Sequence, residues 1–422
     1  IGILGTAFGT STDSNGIYRL RNIPAGKYTI KLNALGYKLI EKTIIIKANE
    51  QLTWNADLTN FQNTLNDIVI SGTLKEVIRT ESPVPVEVFT PIFFKKNPTA
   101  NIYEALQNVN GVRPQLNCNV CNTGDIHING LEGPYTMILI DGMPIVSSLS
   151  TVYGLSGIPN SLIERIEVVK GPASSLYGSE AVGGLINIIT KKATSAPKLT
   201  LDVFTTSWRE LNADGGFKFK IPKTADVLTG INYFNFQNKV DQNNDNFTDM
   251  TLQHRISLFQ KWNFIRRDLR TTNIAVRYMY EDRWGGDLRW EKQFRGGDSI
   301  YGESIYTNRW EVLGNYQLPL KEKIMLSYSY NDHQQDSRYG NMAYIAAQRI
   351  GFAQLTWDKK IGMHDILLGT AMRYTYYDDN TPATASADTL NRTNLPQKTW
   401  LPGIFIQDEI KINIQHKLLM GF

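Results

Sequence analysis

The chain has 422 residues, enough for two or more domains, and a formal net charge of only +4. So small a charge gives no argument for a nucleic-acid partner, and no apolar run approaches the roughly 18 residues that a transmembrane helix needs. The 20 Tyr and 8 Trp, together with few helix-forming runs, favour a β-rich protein.

Residues 1–60 contain short strand-like runs separated by turns, of which DSNG at residues 13–16 is the clearest. The runs cover residues 17–20, 28–32, 42–46 and 52–58. Short strands with a turn about every 8–12 residues predict a small β-sandwich.

Residues 61–82 form a linker that contains the octapeptide LNDIVISG at residues 65–72. Its short β-branched run is suited to adding as an extra strand to the edge of a partner's sheet, with backbone hydrogen bonds supplying the affinity. The alternative is an ordinary linker strand.

Residues 83–192 contain one helical pattern among several strand patterns. Residues 101–109 (NIYEALQNV) have a helical pattern, and Asp141-Gly142 between apolar runs is a strong hairpin signal. Residues 164–192 read ERIEVVKGPASSLYGSEAVGGLINIITKK, in which two strands flank a glycine-rich run. Such glycines indicate backbone packed closely against other backbone.

Residues 193–422 predict about eleven amphipathic strands whose connections alternate in length. The short connections are residues 221–226, 263–268, 318–323, 359–365 and 413–416, and the long ones are 237–250, 282–304, 335–346 and 377–398. Short turns at one end, long loops at the other and one apolar face per strand are typical of outer-membrane barrels. An open sheet would leave unpaired backbone groups in hydrocarbon, so eleven strands predict part of a barrel.

Residues 83–192 resemble, over their full length, the plug domain of TonB-dependent outer-membrane receptors, with residues 164–192 matching its end. The phrase DSNGIYRLRNIPAGKYTIKLNALGYK resembles the carboxypeptidase-regulatory-like domain that precedes many Bacteroidetes receptors, without its first strand, and here a spacer role is favoured. The five residues that resemble the family's TonB box are Asp67, Ile68, Val69, Ile70 and Ser71.

The resemblance implies a fold dominated by β-structure: a small β-sandwich, an α+β plug, and then the first half of a transmembrane antiparallel barrel. The family's barrels have about twenty-two strands. We therefore expect a partial chain, with both ends cut.

The function implied is active import of a scarce nutrient across the outer membrane of a Bacteroidetes-like Gram-negative bacterium. Its partners would be TonB with its inner-membrane energising complex, outer-membrane lipid and a small metal-chelate cargo such as a siderophore, haem or cobalamin. The runner-up is a SusC-like importer of glycans or peptides working with a surface lipoprotein. A surface adhesion protein and a passive porin are the rivals from other classes.

Cys118 and Cys121 flank Asn119 and Val120 and are followed by Asn122, where plug apex loops of the family meet substrate. For an exported chain a disulfide is the favoured interpretation, with a redox pair or a metal site as alternatives. The resemblance implies that Asn119, Val120 and Asn122 contact cargo.

The loop at residues 241–249 has the oxygen spacing of an EF-hand-type calcium loop, although Leu252 stands where the bidentate Glu is usual. The alternative is a merely polar loop, and no other cofactor is expected. The four ligands proposed are Asp241, Asn243, Asp245 and Asp249.

Aromatic and Arg side chains in the connection at residues 282–304 suit capture of an anionic, flat cargo. The residues chosen are Trp284, Trp290 and Arg295. His333 would be the first ligand for a haem cargo, the alternative being a solvated or networked histidine.

Charged residues of the plug, namely Glu164, Arg165, Glu167 and Lys170, are expected to fix the plug to the barrel wall through ion pairs. No catalytic motif such as HExxH, GxSxG or a Walker loop occurs, so we predict that the protein is not an enzyme.

Overall fold

The computed structural model describes residues 1–4, 6, 8–13, 16–32, 34, 40–48, 50–58, 68–96, 99, 101–118, 123–144, 155, 157–388, 391–413 and 416–422. The chain divides into two compact units, residues 1–68 with 78–80, and residues 69–77 with 81–422. Within the described ranges, no helix has both the length and the apolarity needed to cross a bilayer.

The first unit contains a three-stranded antiparallel sheet with the order β1-β2-β3. The strands are β1 (Gly2–Ile3), β2 (Gly26–Leu32) and β3 (Ile40–Ile46), so two predicted strands are confirmed. The predicted strands at residues 17–20 and 52–58 are wrong, because neither run joins the sheet. Instead, the Tyr18 hydroxyl donates to the Trp54 carbonyl oxygen (2.9 Å), so the runs meet through a side chain.

The plug region begins the second unit and is built on a five-stranded sheet with the order β10-β9-β12-β11-β6. The strands between residues 68 and 190 are β4 (Ile68–Val69), β5 (Val77–Ile78), β6 (Glu87–Phe89), β7 (Val112–Cys118), β8 (Thr123–Ile128), β9 (Thr136–Ile140), β10 (Met143–Pro144), β11 (Ile163–Lys170) and β12 (Gly184–Thr190). Of these, β4 pairs with β5 and β7 with β8 in separate two-stranded sheets. Every residue of β9 and β12 is buried, because these two parallel strands are covered on both faces.

Short helices and one tight turn connect these strands. The helices are α1 (Pro91–Lys95), α2 (Ile102–Ala105) and α3 (Ser174–Tyr177). Asn101 caps α2 by accepting from the Glu104 backbone N–H (2.9 Å), and a 3₁₀ turn follows, which confirms the predicted helical segment. Asp141 (φ 49°) and Gly142 (φ 81°) form the predicted hairpin between β9 and β10.

The glycine-rich run does pack backbone against backbone, as Gly184 shows. Its φ is +136°, and a Cβ built there would lie 2.2 Å from the Val169 carbonyl oxygen. Only glycine fits this position, where β12 meets β11.

The remaining strands form one antiparallel sheet of eleven, in which each strand pairs with the next along the chain. They are β13 (Leu199–Thr205), β14 (Leu211–Ile221), β15 (Ala225–Phe236), β16 (Leu252–Phe264), β17 (Thr272–Gly286), β18 (Gly302–Gln317), β19 (Lys323–Tyr339), β20 (Met342–Ile361), β21 (His364–Asp379), β22 (Gln397–Lys411) and β23 (Lys417–Gly421). The predicted strand number and the short connections are confirmed.

Three of the four predicted long connections are confirmed at residues 237–251, 287–301 and 380–396. The fourth, at residues 335–346, is wrong, because β19 and β20 continue through it and only Gly340 and Asn341 separate them. The error falls where residues 335–342 (QDSRYGNM) combine polar residues with a Gly-Asn pair, a composition that also suits a loop.

The two faces of this sheet differ as predicted. On β19, Ser329 and Asn331 are buried on the inward face, whereas Tyr330 between them is 46% exposed on the outward face. On β17, Arg277 is completely buried and the flanking Val276 and Tyr278 point outward. Apolar side chains outward and polar side chains inward suit lipid on one side and a filled interior on the other.

Candidate functional site

The two faces of β11 place a carboxylate beneath the predicted TonB box. Ile166 and Val168 face the larger core of the plug region, so alternation puts Glu167 and Val169 on the opposite face. A second apolar cluster covers that face, and Val69 of the box is one of its members. Val69 is completely buried, so this residue forms part of the plug's own packing.

Glu167 holds the end of the box through one carboxylate oxygen. Oε2 accepts from the backbone N–H groups of Ile70 (3.0 Å) and Ser71 (2.9 Å) and from the Ser71 hydroxyl (2.6 Å). The other oxygen accepts from Arg165 Nε (2.8 Å). Both Glu167 and Ser71 are fully buried, so removing any partner would leave a buried group unsatisfied.

Two more plug side chains complete the contact with Ser71. Asn187, directly opposite Glu167 in the β11–β12 register, donates to the Ser71 hydroxyl (2.9 Å), and Tyr177 donates to its carbonyl oxygen (3.1 Å). Burial raises the pKa of Tyr177, and the nearby Glu167 carboxylate raises it further, so the phenol stays protonated as a donor.

The described part of the box is therefore docked. The Ile70 and Ser71 N–H groups are bonded to Glu167, whereas Ile68 at the start of the segment is 50% exposed. Asp67 lies outside the described residues.

The turn that follows the box is held to the eleven-stranded sheet β13–β23, which is here named the wall. Lys75 forms ion pairs with Asp358 (3.1 Å) and Asp365, which flank the short β20–β21 connection. Gln407 on β22 donates to the Thr73 carbonyl oxygen (3.4 Å). Residues 70–75 thus have one anchor on the plug and a second on the wall.

Further ion pairs join the plug region to the wall. Lys261 on β16 donates to Asp141 (2.7 Å) and to the Thr190 hydroxyl (2.7 Å). Arg373 on β21 forms a bidentate pair with Glu180, both contacts at 2.6 Å. Sequence reasoning missed these residues.

The expectation that residues 164–170 hold the plug to the wall is corrected. Arg165 pairs with Glu164 (3.2 Å) and with Glu167, and Lys170 pairs with Glu87 (2.7 Å). All these contacts lie within the plug region, because these side chains stand on a strand of its own sheet.

The inward face also carries buried charge that the sequence reasoning did not single out. Glu281 pairs with Arg255 (3.5 Å) and Arg283, and Glu311 pairs with Arg277 (2.8 Å) and Arg309 (2.5 Å). In the sequence, these charged residues were indicated only by their positions on the inward side of the alternating strand pattern. These networks make that part of the wall polar and ordered.

The predicted cargo residues, of which Trp284 ends up on β17 and the other two in the connection at residues 287–301, are packed into the protein. Trp290 is 1% exposed, and its ring lies 5.1 Å from that of Trp284, which is 9% exposed. Arg295 binds Asp336 (3.1 Å) and lies over the Tyr306 ring (4.2 Å). These side chains secure the connection, and their placement does not support direct contact with cargo.

His333 lies on the inward face of β19, opposite Arg309 and Gln348 in the neighbouring strands, and is completely buried. A haem ligand must reach the cargo, so this placement does not support the prediction. Cys118 ends β7, while Asn119, Val120, Cys121 and Asn122 lie outside the described residues. The disulfide and the apex contacts therefore stay predictions.

The proposed calcium loop directs its oxygens at its own backbone. Asp241 accepts from the N–H groups of Asp245 (3.2 Å) and Asn246 (3.0 Å), Asn243 accepts from Asp245 N–H (3.1 Å), and Asp249 accepts from Gln242 N–H (2.6 Å). Among the described residues, no group of three or more His, Cys, Asp or Glu side chains is arranged to hold a metal. Calcium binding stays a prediction.

The candidate site is thus a plug region whose face is covered by the segment ahead of it, beside a large antiparallel sheet. Residues 79–185 match the family model described as the TonB-dependent Receptor Plug Domain, and residues 1–70 match the CarboxypepD_reg-like domain. The chain therefore contains a TonB-dependent receptor plug domain at residues 79–185.

Two curated relatives are named as receptors for siderophores. The chain is 31% identical over 207 residues to the "Ferric enterobactin receptor PirA" of Pseudomonas aeruginosa, which covers 46% of this chain and 28% of that protein. It is 39% identical over 130 residues to the "Probable TonB-dependent siderophore receptor PirA" of Acinetobacter baumannii, covering 27% of this chain and 17% of that protein.

Solved receptor structures share the fold. The receptor in the FpvAI–pyocin S2 complex superposes with a TM-score of 0.64 at 13% identity, covering 90% of this chain and 56% of that one. The siderophore receptor PiuA from Acinetobacter baumannii gives a TM-score of 0.59 at 15% identity, covering 85% and 60%. The chain thus spans little more than half of these structures.

Proposed function

We propose that this chain serves TonB-dependent import of a ferric siderophore, or a closely related small metal chelate, across the outer membrane. The observation that carries the proposal is the docking of residues 69–71 on the plug, with Val69 in an apolar cluster and Ile70 and Ser71 bonded to Glu167. A segment that is both strand-forming and held by a few hydrogen bonds is suited to being withdrawn by a partner that adds it to its own sheet.

The cost of withdrawal is set by the contacts described. Exposing Val69 costs roughly 1.5–3 kcal/mol, and each hydrogen bond to the Glu167 carboxylate adds about 1.5–3 kcal/mol. TonB would recover part of this by bonding the same backbone groups. Bound cargo changes the affinity for TonB only if it alters how strongly the plug holds the segment.

The names of the relatives favour siderophores over haem and cobalamin. A SusC-like importer with a surface lipoprotein is the runner-up, because residues 1–70 match a domain that such importers share. The same domain supports a Bacteroidetes-like source, whereas the relatives named come from Pseudomonas and Acinetobacter. Uptake that depends on TonB would distinguish both kinds of importer from an adhesion protein.

The test is uptake of ⁵⁵Fe-labelled ferric enterobactin by cells that carry the full-length gene with Ile68→Pro. Proline removes a backbone donor from the strand that TonB would pair with. The matched control is Leu58→Pro, which places the same residue in an exposed, non-strand position ahead of the box. We expect uptake to stop in the first variant only, while surface binding persists in both.

Uptake that persists in Ile68→Pro would show that residues 67–71 are not the TonB box. Failure of the wild type to import or bind ferric enterobactin, while another nutrient is imported in a TonB-dependent way, would refute the cargo and keep the transporter class.

A further inference from the structure

Two tyrosines and an aspartate bring their side-chain oxygens together where β20 begins and β21 ends. The Tyr377 hydroxyl lies 3.0 Å from the Tyr344 hydroxyl and donates to Asp379 Oδ2 (2.6 Å). Three oxygens that can each carry a negative charge are therefore in contact in a row. Neither the docked box nor its anchors use these side chains.

The three side chains lie on the inward face of the wall. In the β20–β21 register, Asp379 is opposite Ala346 and Tyr377 is opposite Gln348, and both of these partners are buried. Tyr344 shares their face, because it precedes Ala346 by two residues. The two phenols thus approach Asp379 from opposite directions along the strands. All three side chains are half-buried, so an ion or a small chelate can reach them.

The Asp379 carboxylate is held in one orientation by the start of the connection that follows β21. Its Oδ1 accepts from the Thr381 N–H (2.8 Å), the Thr381 hydroxyl (2.8 Å) and the hydroxyl of the buried Thr384 (3.0 Å). Oδ2 is thereby directed toward the phenols. Hydrogen-bond partners of this kind orient a carboxylate before it binds a metal ion.

The charge of Asp379 also differs from that of other inward carboxylates of the wall. Glu281 and Glu311 are paired with arginines. Among the residues that the structure describes, by contrast, no Lys or Arg side chain contacts the carboxylate of Asp379 or the hydroxyls of Tyr344 and Tyr377. The negative charge at this position is therefore available to a cation from outside the protein.

The spacing of the oxygens suits neighbouring positions around one metal ion. With metal–oxygen distances of about 2.0–2.1 Å, adjacent ligands of an octahedral ion lie about 2.8–3.0 Å apart. The observed contacts of 2.6 and 3.0 Å are close to this spacing.

The type of oxygen selects the metal. A free phenol keeps its proton at neutral pH, so the ion must be acidic enough to displace that proton. Calcium and magnesium prefer carboxylate, carbonyl and water oxygens, whereas iron accepts tyrosinate as a ligand. Two phenolates and one carboxylate together balance the charge of a trivalent ion.

We propose that Tyr344, Tyr377 and Asp379 form a ferric-iron site on the inward face of the wall. Binding displaces one proton from each phenol, which leaves to solvent, and the iron stays ferric throughout. The ligand is ferric iron, either as the ion alone or in a chelate with open coordination positions. Retention of such incompletely coordinated iron for import rests on the proposed function, whereas the site itself does not.

The test is visible absorption and resonance Raman spectroscopy of the purified full-length receptor with ferric nitrilotriacetate, a chelate that leaves coordination positions open. Tyr344→Phe and Tyr377→Phe, alone and together, keep the rings and remove the ligand oxygens. Asp379→Asn replaces the carboxylate with an amide. The matched control is Tyr376→Phe, because Tyr376 donates to Asp378 (3.2 Å) from the outward face.

We expect the wild type and the control to show a phenolate-to-iron absorption band with tyrosinate ring vibrations. Each single variant at the site should bind ferric nitrilotriacetate at least about tenfold more weakly, and the double variant should lose the band. Ferrioxamine B, whose hydroxamates already fill the coordination positions of the iron, should give no tyrosinate vibrations. Radiolabelled nitrilotriacetate identifies the bound species: its retention with the iron indicates a chelate, and its release indicates the ion alone.

Absence of the band in the wild type would overturn the proposal. A band of equal intensity in the double variant would also overturn it, because the iron would then be bound by other tyrosines, and so would an equal loss in Tyr376→Phe. The spectra require neither TonB nor transport. Failure of the iron site and failure of the proposed import are therefore separate results, the second being judged by the uptake of ferric enterobactin.

Discussion

The central strands of the plug and the strands of the large sheet bury their side chains in opposite ways. Every residue of β12 is buried, whereas β13 alternates between exposed and half-buried residues along its whole length. The plug sheet is covered by apolar side chains on both faces, while the large sheet has one apolar face outward and a mixed face toward the plug. Apolar wall residues such as Leu228, Phe259 and Leu313 join the plug core, so the plug is held to the wall by apolar packing as well as by ion pairs.

The largest effect is expected when one isoleucine from each region is replaced by alanine. Ile186 is completely buried in the plug core, and Ile231 is 42% exposed on the outward face of β15. We expect Ile186→Ala to lower the free energy of unfolding of the plug by about 2–5 kcal/mol, because a buried cavity is left. Ile231→Ala should cost far less. Thermal unfolding of both full-length variants measures the difference, and equal losses would contradict the contrast.

The next effect concerns the docked box. Glu167→Gln removes the charge that accepts three hydrogen bonds and pairs with Arg165, so we expect residues 68–71 to leave the plug more readily. Limited proteolysis near the box should accelerate by about 10- to 100-fold, equal to about 1.4–2.7 kcal/mol.

Glu164→Gln is the matched control for this change. Glu164 also pairs with Arg165 but is half-exposed and has no hydrogen bond to Ser71 among those described. Similar cleavage rates in the two variants would show that Arg165, rather than the Ser71 contact, holds the segment.

A smaller effect should follow from releasing the second anchor. Lys75→Met removes the pairs with Asp358 and Asp365 and should loosen residues 72–76 without unfolding the plug, with a change of about 1 kcal/mol. Lys323→Met removes another partner of Asp358 (2.9 Å) from an exposed position and serves as the control. Hydrogen exchange of the turn at residues 71–75 measures the effect, and protection equal to wild type in Lys75→Met would refute the anchor.

The smallest effect expected is that of calcium on the connection at residues 237–251. Because the oxygens of Asp241 and Asp249 already accept backbone N–H bonds, any calcium site there should be weak, with a Kd of about 0.1–1 mM. Calorimetric titration of wild type and Asp245→Asn tests this. Identical heats of calcium binding in the two proteins would show that this loop is not a calcium site.

The sequence was most informative where a pattern repeats locally. Alternation predicted strands with one apolar face, and the turn chemistry of Asp141-Gly142 predicted a hairpin. It failed at residues 335–346, because the polar run that ends in Gly340-Asn341 has the composition of a loop although only those two residues form the turn. The Ser71–Glu167 and Lys75–Asp365 contacts could not be predicted, since they join residues 96 and 290 positions apart and depend on how whole elements pack.

The neighbour-by-neighbour order of β13–β23 has a consequence for biogenesis. Each new strand needs only the one made just before it, so the wall can grow by successive hairpins in the order of synthesis, and each loop to be closed is short. The plug precedes the wall in the chain, so it can fold first. The inward side of each added strand would then pack against the surface of the folded plug. A template of this kind would guide the curvature of the growing wall, so slow folding of the plug should delay folding of the wall.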